Sequence, residues 1–336
     1  MALFDLPLDQ LERYLPEVCE PADFDAFWDA SLATAVGTPV ILDMTRAEPT
    51  GLALVDTWDV TLSGFGGDPV RAWYTRPAGR ITPADQALPA VVEFVGYGYG
   101  RGRGLPHERL TWPAAGYAHL LMDSRGQGDQ YGTGGDTPDR QGWVPGGPGP
   151  ATRGVLDPER YYYRRLITDA VRAVAAVRAL PGVDPGRVAA VGNSQGGGLA
   201  LAVAGLVPDL AAVLVSAPFL CHIQRAIEIT DAAPYGEIAT YLSVHRDAEA
   251  AVRRTLSYVD AVSFARRAVA PAHFGVGLRD TVCPPSTVFA AYNHYGTANG
   301  RPERTIHVYP FNGHEGGDAV HTRRQLHWLR QLAAAR

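Results

Sequence analysis

Cysteine is scarce in this chain of 336 residues: Cys19, Cys221 and Cys283 are the whole supply, widely spaced and odd in number. With no Cys-x-x-Cys pair, neither a disulfide framework nor a thiolate metal site is expected, and the three read as free thiols of a reducing compartment. Basic runs are missing as well. No stretch of Lys or Arg exceeds two residues, the net charge is -5 and the pI is near 6.1, which leaves no electrostatic footprint for nucleic acid or an anionic membrane. Nor does any apolar segment approach the roughly 20 residues that span a bilayer. The opening Met1-Ala2-Leu3-Phe4-Asp5-Leu6 lacks a basic n-region and a sustained apolar h-region, so no leader is expected and the expected location is the cytoplasm. Internal repeats and low-complexity tails are also missing.

What the chain does carry is continuous apolar patterning, with length ample for a large core. One α/β domain over 1–336 is the expected organisation, in preference to two smaller ones. Residues 1–40 read as an N-terminal helical extension, with short amphipathic helices at 8–14 and 23–32. Alternation at 55–62 and 69–74 predicts two exposed antiparallel strands. Apolar runs at 90–95, 118–122, 188–191, 212–215, 273–276 and 305–309 are of the buried parallel kind, and helical periodicity appears at 161–180 and 322–332. Such alternation predicts a mostly parallel, doubly wound sheet. Two stretches break the rhythm. Residues 128–156, which include Gly142-Trp143-Val144-Pro145-Gly146-Gly147-Pro148-Gly149-Pro150, read as a Gly/Pro-rich interaction loop; residues 218–268 read as a helical cap insertion.

The chemistry centres on Gly192-Asn193-Ser194-Gln195-Gly196, which follows an apolar run and precedes a helix-forming stretch. Small flanking residues let a serine be held in a strained strand-to-helix turn with its hydroxyl exposed. In a chain with 37 glycines the same pentapeptide also fits an ordinary turn, so its partners decide. A nucleophilic serine needs a histidine to take its proton and a carboxylate to orient that imidazole, here in the order Ser, acid, His. Asp280 ends Val276-Gly277-Leu278-Arg279-Asp280, and His314 follows Tyr309-Pro310-Phe311-Asn312-Gly313; both fall at carboxyl ends of predicted strands, where open α/β sheets put their sites. The other nine histidines lie inside predicted strands, on helices, in the cap or before any suitable strand end. Asp318 is a rival acid, but it lies after the histidine and also fits a helix N-cap.

An acyl-transfer site also needs oxyanion donors. The Gln195 backbone N–H is one candidate, and Tyr97 in Gly96-Tyr97-Gly98-Tyr99-Gly100-Arg101-Gly102 supplies the second. That loop also has the look of a phosphate cradle, yet it lacks the Lys-Ser/Thr and the partner residues of a nucleotide fingerprint. Ser124, Ser216 and Ser286 lack the glycine frame and suit polar turns. His314-Glu315 has no second histidine at zinc spacing, so no metal and no cofactor are expected.

Taken together, Arg125-Gly126-Gln127-Gly128, Gly192-Asn193-Ser194-Gln195-Gly196 and His314-Glu315 give the chain a resemblance to the acetyl xylan esterase and cephalosporin C deacetylase family, carbohydrate esterase family 7. The resemblance extends over nearly the whole chain, through Phe4-Asp5-Leu6-Pro7-Leu8, Gly154-Val155-Leu156-Asp157-Pro158, Tyr161-Tyr162-Tyr163-Arg164-Arg165 and Cys283-Pro284-Pro285-Ser286-Thr287. It implies an α/β-hydrolase fold, a triad of Ser194, Asp280 and His314, and an oxyanion hole from the amides of Tyr97 and Gln195. It further implies a small acyl pocket at Phe219, Pro234 and Val282, and a hexamer in which the variable 128–156 loop is a contact element. Arg125, Gly126, Gln127 and Glu315 belong to the signature; a loop-tying role for the Arg125 guanidinium is expected over direct substrate contact. The implied reaction is two-step deacetylation of small esters such as acetylated xylooligosaccharides and cephalosporin C. A broader short-chain carboxylesterase, a prolyl-oligopeptidase-like peptidase and a non-catalytic receptor of the same fold are the alternatives.

Overall fold

Runs rich in Val, Ala and Leu have side chains suited to a surface buried on both faces, and in the computed structural model they form the middle of one sheet. The structure describes residues 3–83, 86–142 and 149–334, so residues 143–148 of the expected interaction loop lie outside the described residues. The strands are β1 (Ile41–Arg46), β2 (Val55–Ser63), β3 (Pro69–Pro77), β4 (Leu88–Phe94), β5 (Ala118–Met122), β6 (Val183–Asn193), β7 (Ala212–Ser216), β8 (Ala272–Gly277) and β9 (Arg304–Tyr309), in the spatial order β1-β2-β3-β5-β4-β6-β7-β8-β9. The pairs β1–β2, β2–β3 and β3–β5 are antiparallel; every pair from β5–β4 onward is parallel. Side chains two apart share a face. Ala90, Val92, Val188, Ala190, Val213 and Val215 accordingly join the main core with α4 (Tyr162–Ala179) and α5 (Gln195–Leu206). Their neighbours Val91, Ala189, Val191, Ala212 and Leu214 pack on the other face against Trp112 of α3 (Thr111–Ala114) and Leu329 of α11 (Asp318–Ala334). Each fully buried Val or Leu in these layers contributes about 1.5–3 kcal/mol.

The N-terminal segment holds α1 (Leu8–Leu11) and α2 (Phe24–Ala33). Helix α2 packs Phe24 and Trp28 on Phe264, and the Trp28 indole N–H donates to the Tyr258 carbonyl at 2.9 Å. Between β7 and β8 the chain forms α6 (Ile223–Ile229), α7 (Tyr235–Val244), α8 (Glu249–Ser257) and α9 (Ala261–Arg267); α10 (Pro285–His294) follows the loop after β8. Two expectations need correction. The strands at 55–62 and 69–74 are antiparallel but largely buried, because β1, which was not expected, flanks them and Val60, Leu62, Val70 and Tyr74 enter the main core. Trp73 on the opposite face is covered by the Arg101 guanidinium, 4.2 Å from its ring. Helix α11 also begins four residues earlier than its periodicity predicts, at Asp318.

Candidate active site

The turn between β6 and α5 forces Ser194 into a backbone conformation of φ 55° and ψ -120°, one that side-chain-bearing residues rarely adopt and that costs about 1–3 kcal/mol. Its own backbone is fully engaged. The Ser194 N–H donates to the Ser216 carbonyl at 3.0 Å, and its carbonyl accepts from Gly198 at 3.0 Å and Phe219 at 2.8 Å. Two flanking glycines are required by space: a Cβ on Gly192 would lie 2.1 Å from the Gly196 backbone, and one on Gly196 would lie 2.0 Å from the Phe94 carbonyl oxygen.

Asp280 and His314 come together through loops stitched to one another. After β8, Leu278 N–H donates to the Tyr309 carbonyl and Arg279 N–H to that of Asn312, each at 3.0 Å, and a Cβ on Gly277 would lie 2.3 Å from the Gly313 oxygen. The fully buried Asp280 carboxylate accepts from Val282 N–H at 2.8 Å, Cys283 N–H at 2.9 Å and His314 Nδ1 at 2.9 Å. Glu315 closes the His314 turn by accepting from Asn312 Nδ2 at 2.7 Å and Gly313 N–H at 3.0 Å, and the Asn312 bond leads in holding its carboxyl below the usual range. Desolvation and then the Asp280 charge push the buried Cys283 thiol up, and the Ser194 hydroxyl beside it works weakly in the other direction. Among the described residues no hydrogen bond joins that hydroxyl to His314; such contacts are often loose without substrate and tighten in the complex. Asp318 starts α11 and leaves the imidazole to Asp280. His119 also has a carboxylate partner, Glu93 at 2.9 Å, but that pair lies between β4 and β5 with no serine in it.

A buried polar web ties the elbow to the loop after β4. Gln195 is the first residue of α5, where helix N–H groups have no intrahelical acceptor. Its side-chain carbonyl accepts from Gln127 Nε2 at 2.8 Å and Tyr163 O–H at 2.9 Å, while Gln127 Oε1 accepts the Gly98 N–H at 2.7 Å. The chain contains no lysine, so its 30 basic residues are all arginine, whose fork suits paired carboxylate oxygens. Arg125, wholly buried, uses that fork on Asp169 at 2.6 and 2.8 Å and reaches Asp68 at 3.3 Å and Asp139 at 3.4 Å. Burial works against its charge, but Asp169 outweighs this and raises its pKa. Gly126 has φ 62°, and its N–H donates to the Thr137 carbonyl at 2.7 Å.

Against this geometry, a family model described as acetyl xylan esterase (AXE1) matches residues 1–332. The chain belongs to the acetyl xylan esterase family. The acetyl xylan esterase of Paenibacillus sp. R4 is 38% identical, with a TM-score of 0.88 over 97% of this chain and 99% of that one. Acetyl xylan esterase 1 of Thermoanaerobacterium sp. JW/SL YS485 is 30% identical, with a TM-score of 0.84 over 98% and 99%. Acetyl esterase Axe7A of Xylanibacter ruminicola is 26% identical over 296 residues, 84% of this chain; the chain spans 62% of that relative's length. An acylaminoacyl peptidase of Pyrococcus horikoshii, 14% identical with a TM-score of 0.57 over 84% of this chain and 41% of that one, shares the fold alone. The fold is that of the α/β-hydrolases.

In this acetyl xylan esterase family member the residues expected to line an acyl pocket sit on three separate segments, of which that of Phe219 is bonded to the elbow. Phe219 is buried with its N–H on the Ser194 carbonyl, and its ring packs on Tyr97, Tyr163 and Tyr235 with centroids at 6.3, 6.0 and 4.5 Å. Pro234 is buried at the start of α7, and Val282 is half-buried on the Asp280 turn. A cleft of about 450 Å³ opens beside Asn193 and Glu315, sequence neighbours of Ser194 and His314, with Tyr99, Glu108, Arg109 and Trp112 among its walls. Sequence reasoning missed Cys283 and Glu237, whose carboxylate holds the Tyr97 hydroxyl. A neighbour 140 positions away leaves no local signal.

Proposed function

We propose that this protein is a serine esterase that removes acetyl groups from small acetylated carbohydrates, with Ser194 as nucleophile, His314 as general base and Asp280 as its orienting acid. The observation that carries this reading is the His314–Asp280 hydrogen bond of 2.9 Å at the strand-end edge that also holds the strained Ser194. His314 Nε2 takes the Ser194 proton as Oγ attacks the acetyl carbonyl; the tetrahedral oxyanion lies against the backbone N–H groups of Gln195 and Tyr97. The sugar alcohol leaves with the proton from Nε2, and a water deprotonated by the same nitrogen releases acetate and frees the serine. Phe219, Pro234 and Val282 bound the acyl group. Arg125, Gly126, Gln127 and Glu315 act on loop geometry, and family membership supports the carbohydrate substrate.

Acetylated xylooligosaccharides are the proposed natural class, and the acetyl ester of cephalosporin C is a further substrate of the same chemistry. A cytoplasmic location and a hexamer, with the 128–156 loop at its contacts, complete the proposal. The test compares turnover of acetyl, propionyl and butyryl esters with acetate release from acetylated xylooligosaccharide and cephalosporin C. The expected result is acetyl preference of about 10-fold or more per added methylene. Folded Ser194→Ala is expected to lose turnover; wild-type rates in it, or a butyryl optimum, overturn the assignment. Sedimentation velocity checks the hexamer.

A further inference from the structure

The phenol of Tyr97 is a junction of three segments distant in sequence. Its O–H donates to the Glu237 carboxylate, both oxygens of which lie at 2.7 Å, and its oxygen accepts the Ala151 N–H at 3.2 Å. The loop after β4, helix α7 and the turn at 149–152 are thereby joined at one atom. Gly149 makes the meeting sterically possible, since a Cβ there would lie 2.4 Å from a Glu237 carboxylate oxygen. Burial raises the Glu237 carboxyl pKa, against the Tyr97 hydrogen bond that lowers it. The ionisable groups facing Glu237 are Tyr97, Tyr161, Tyr163 and Arg153.

One end of Tyr97 is therefore fixed at its hydroxyl. The other is fixed by the next peptide, whose Gly98 N–H donates to Gln127 Oε1 at 2.7 Å. The ring between them packs edge-on against Phe219 at 6.3 Å. The peptide that carries the Tyr97 N–H is also held through the Gly96 carbonyl, which accepts the Tyr99 N–H at 3.2 Å, and the two anchors limit the rotation about the Tyr97 backbone that this leaves. We infer that Glu237 is a positioning residue for the deacetylation: by holding the Tyr97 phenol it aims the Tyr97 backbone N–H at the oxyanion. This rests on the proposed roles of Ser194 and the Tyr97 amide. The neutral carbonyl of the bound ester demands little of such a donor, whereas the tetrahedral oxyanion demands much, so the effect belongs in kcat and not in KM.

The test uses the full-length enzyme with Tyr97→Phe, Glu237→Leu, Glu237→Gln and the Tyr97→Phe/Glu237→Leu pair. Rates on 4-nitrophenyl acetate are normalised to active sites titrated with an organophosphate, so that unfolded molecules drop out. Methylboronic acid, which forms a tetrahedral adduct with a nucleophilic serine, reports the oxyanion site directly. Removing a whole oxyanion donor costs about 100- to 1000-fold in kcat, so loosening one is expected to cost about 10- to 50-fold. Tyr97→Phe and Glu237→Leu should each lose that much kcat with KM within about 3-fold, and should weaken methylboronic acid inhibition by the same factor. Glu237→Gln keeps an acceptor for the phenol and should recover most of the loss, and the pair should be no worse than either single change. Unchanged kcat, a loss confined to KM, undiminished boronic acid affinity or fully additive losses overturn the inference. If Ser194→Ala is inactive while Glu237→Leu behaves as wild type, only the positioning role falls; if Ser194→Ala is active, the proposed function falls.

Discussion

Asp280→Asn removes one charge and almost no volume from the centre of the site, and its consequence follows from a count of donors. The carboxylate accepts three N–H groups: Val282 at 2.8 Å, Cys283 at 2.9 Å and His314 Nδ1 at 2.9 Å. An asparagine has one acceptor oxygen and one donor NH2. The two backbone amides belong to the same tight turn and cannot rotate away, so they keep the oxygen and the NH2 faces the imidazole. A donor opposite Nδ1 requires a lone pair there, which moves the ring proton to Nε2, the nitrogen that must receive the Ser194 proton. The same exchange in the Ser-His-Asp template costs about 10⁴-fold in kcat, equivalent to about 5.4 kcal/mol at 1.36 kcal/mol per decade. Fold stability changes far less. Both backbone donors remain satisfied, and converting charge-assisted to neutral hydrogen bonds costs about 1–3 kcal/mol. The assay is kcat on 4-nitrophenyl acetate beside urea unfolding of the same preparation. A folded Asp280→Asn enzyme within 10-fold of the parent kcat refutes the assignment of Asp280 as the residue that fixes the His314 tautomer.

Two further outcomes concern stability. Arg125→Met leaves the fully buried Asp169 carboxylate without its fork and is expected to cost about 3–5 kcal/mol, read as a lowered urea midpoint at unchanged slope; a midpoint equal to the parent's contradicts a structural role for Arg125. The second concerns the imidazoles of His273, His307 and His321, which pack together with ring centroids 4.9, 5.0 and 6.3 Å apart. Burial pushes His273 down to about 3 and His321 to about 4, and lowers His307 as well. The unfolded chain takes up these protons near pH 6.5 while the folded one refuses them, so their stabilisation is complete above about pH 6.5. It falls by up to about 1.4 kcal/mol per pH unit for each buried imidazole as the pH drops toward the folded values. Urea midpoints that stay constant from pH 7 to pH 5 contradict this.

The sequence made legible whatever is written locally. Ser194, Asp280 and His314 each follow an apolar run that ends in a glycine-bearing turn, and a parallel sheet brings the carboxyl ends of such runs to one edge whatever the loops between them do. The Val and Ala alternation in β4, β6 and β7 likewise states which residues meet α4 and α5 and which meet α11. What stayed hidden depends on partners. Val60 and Tyr74 lie in strands that also fit an exposed hairpin, and their burial follows from long-range packing into the main core. Strand β1 carries polar residues on an edge and has no alternation to betray it. The sequence led to the expectation of Tyr97 as a backbone donor, but the use of its hydroxyl depended on Glu237, one of many carboxylates in a helical stretch.

Gln127 connects the two kinds of information. A resemblance singled it out without a reason, and its contacts supply one: the Oε1 atom of its amide holds the Gly98 N–H beside Tyr97, while its Nε2 holds the side chain of Gln195 and the Tyr162 hydroxyl. The two proposed oxyanion donors follow neighbouring strands, whose backbone ladder runs to Phe94 and Gly192 and stops short of both N–H groups. Beyond the ladder, a side chain that touches both loops can hold their separation if it is itself held in place. Gln127 meets that requirement because Tyr162, whose O–H donates to the Arg125 carbonyl at 2.6 Å, and Arg125, locked on Asp169, hold the Arg125-Gly126-Gln127 turn in place. The buried Arg125 pair is thus the base of a chain of contacts that ends at the oxyanion. Glu237 performs the same task from the opposite side, on the one donor that Gln127 holds through its neighbour alone.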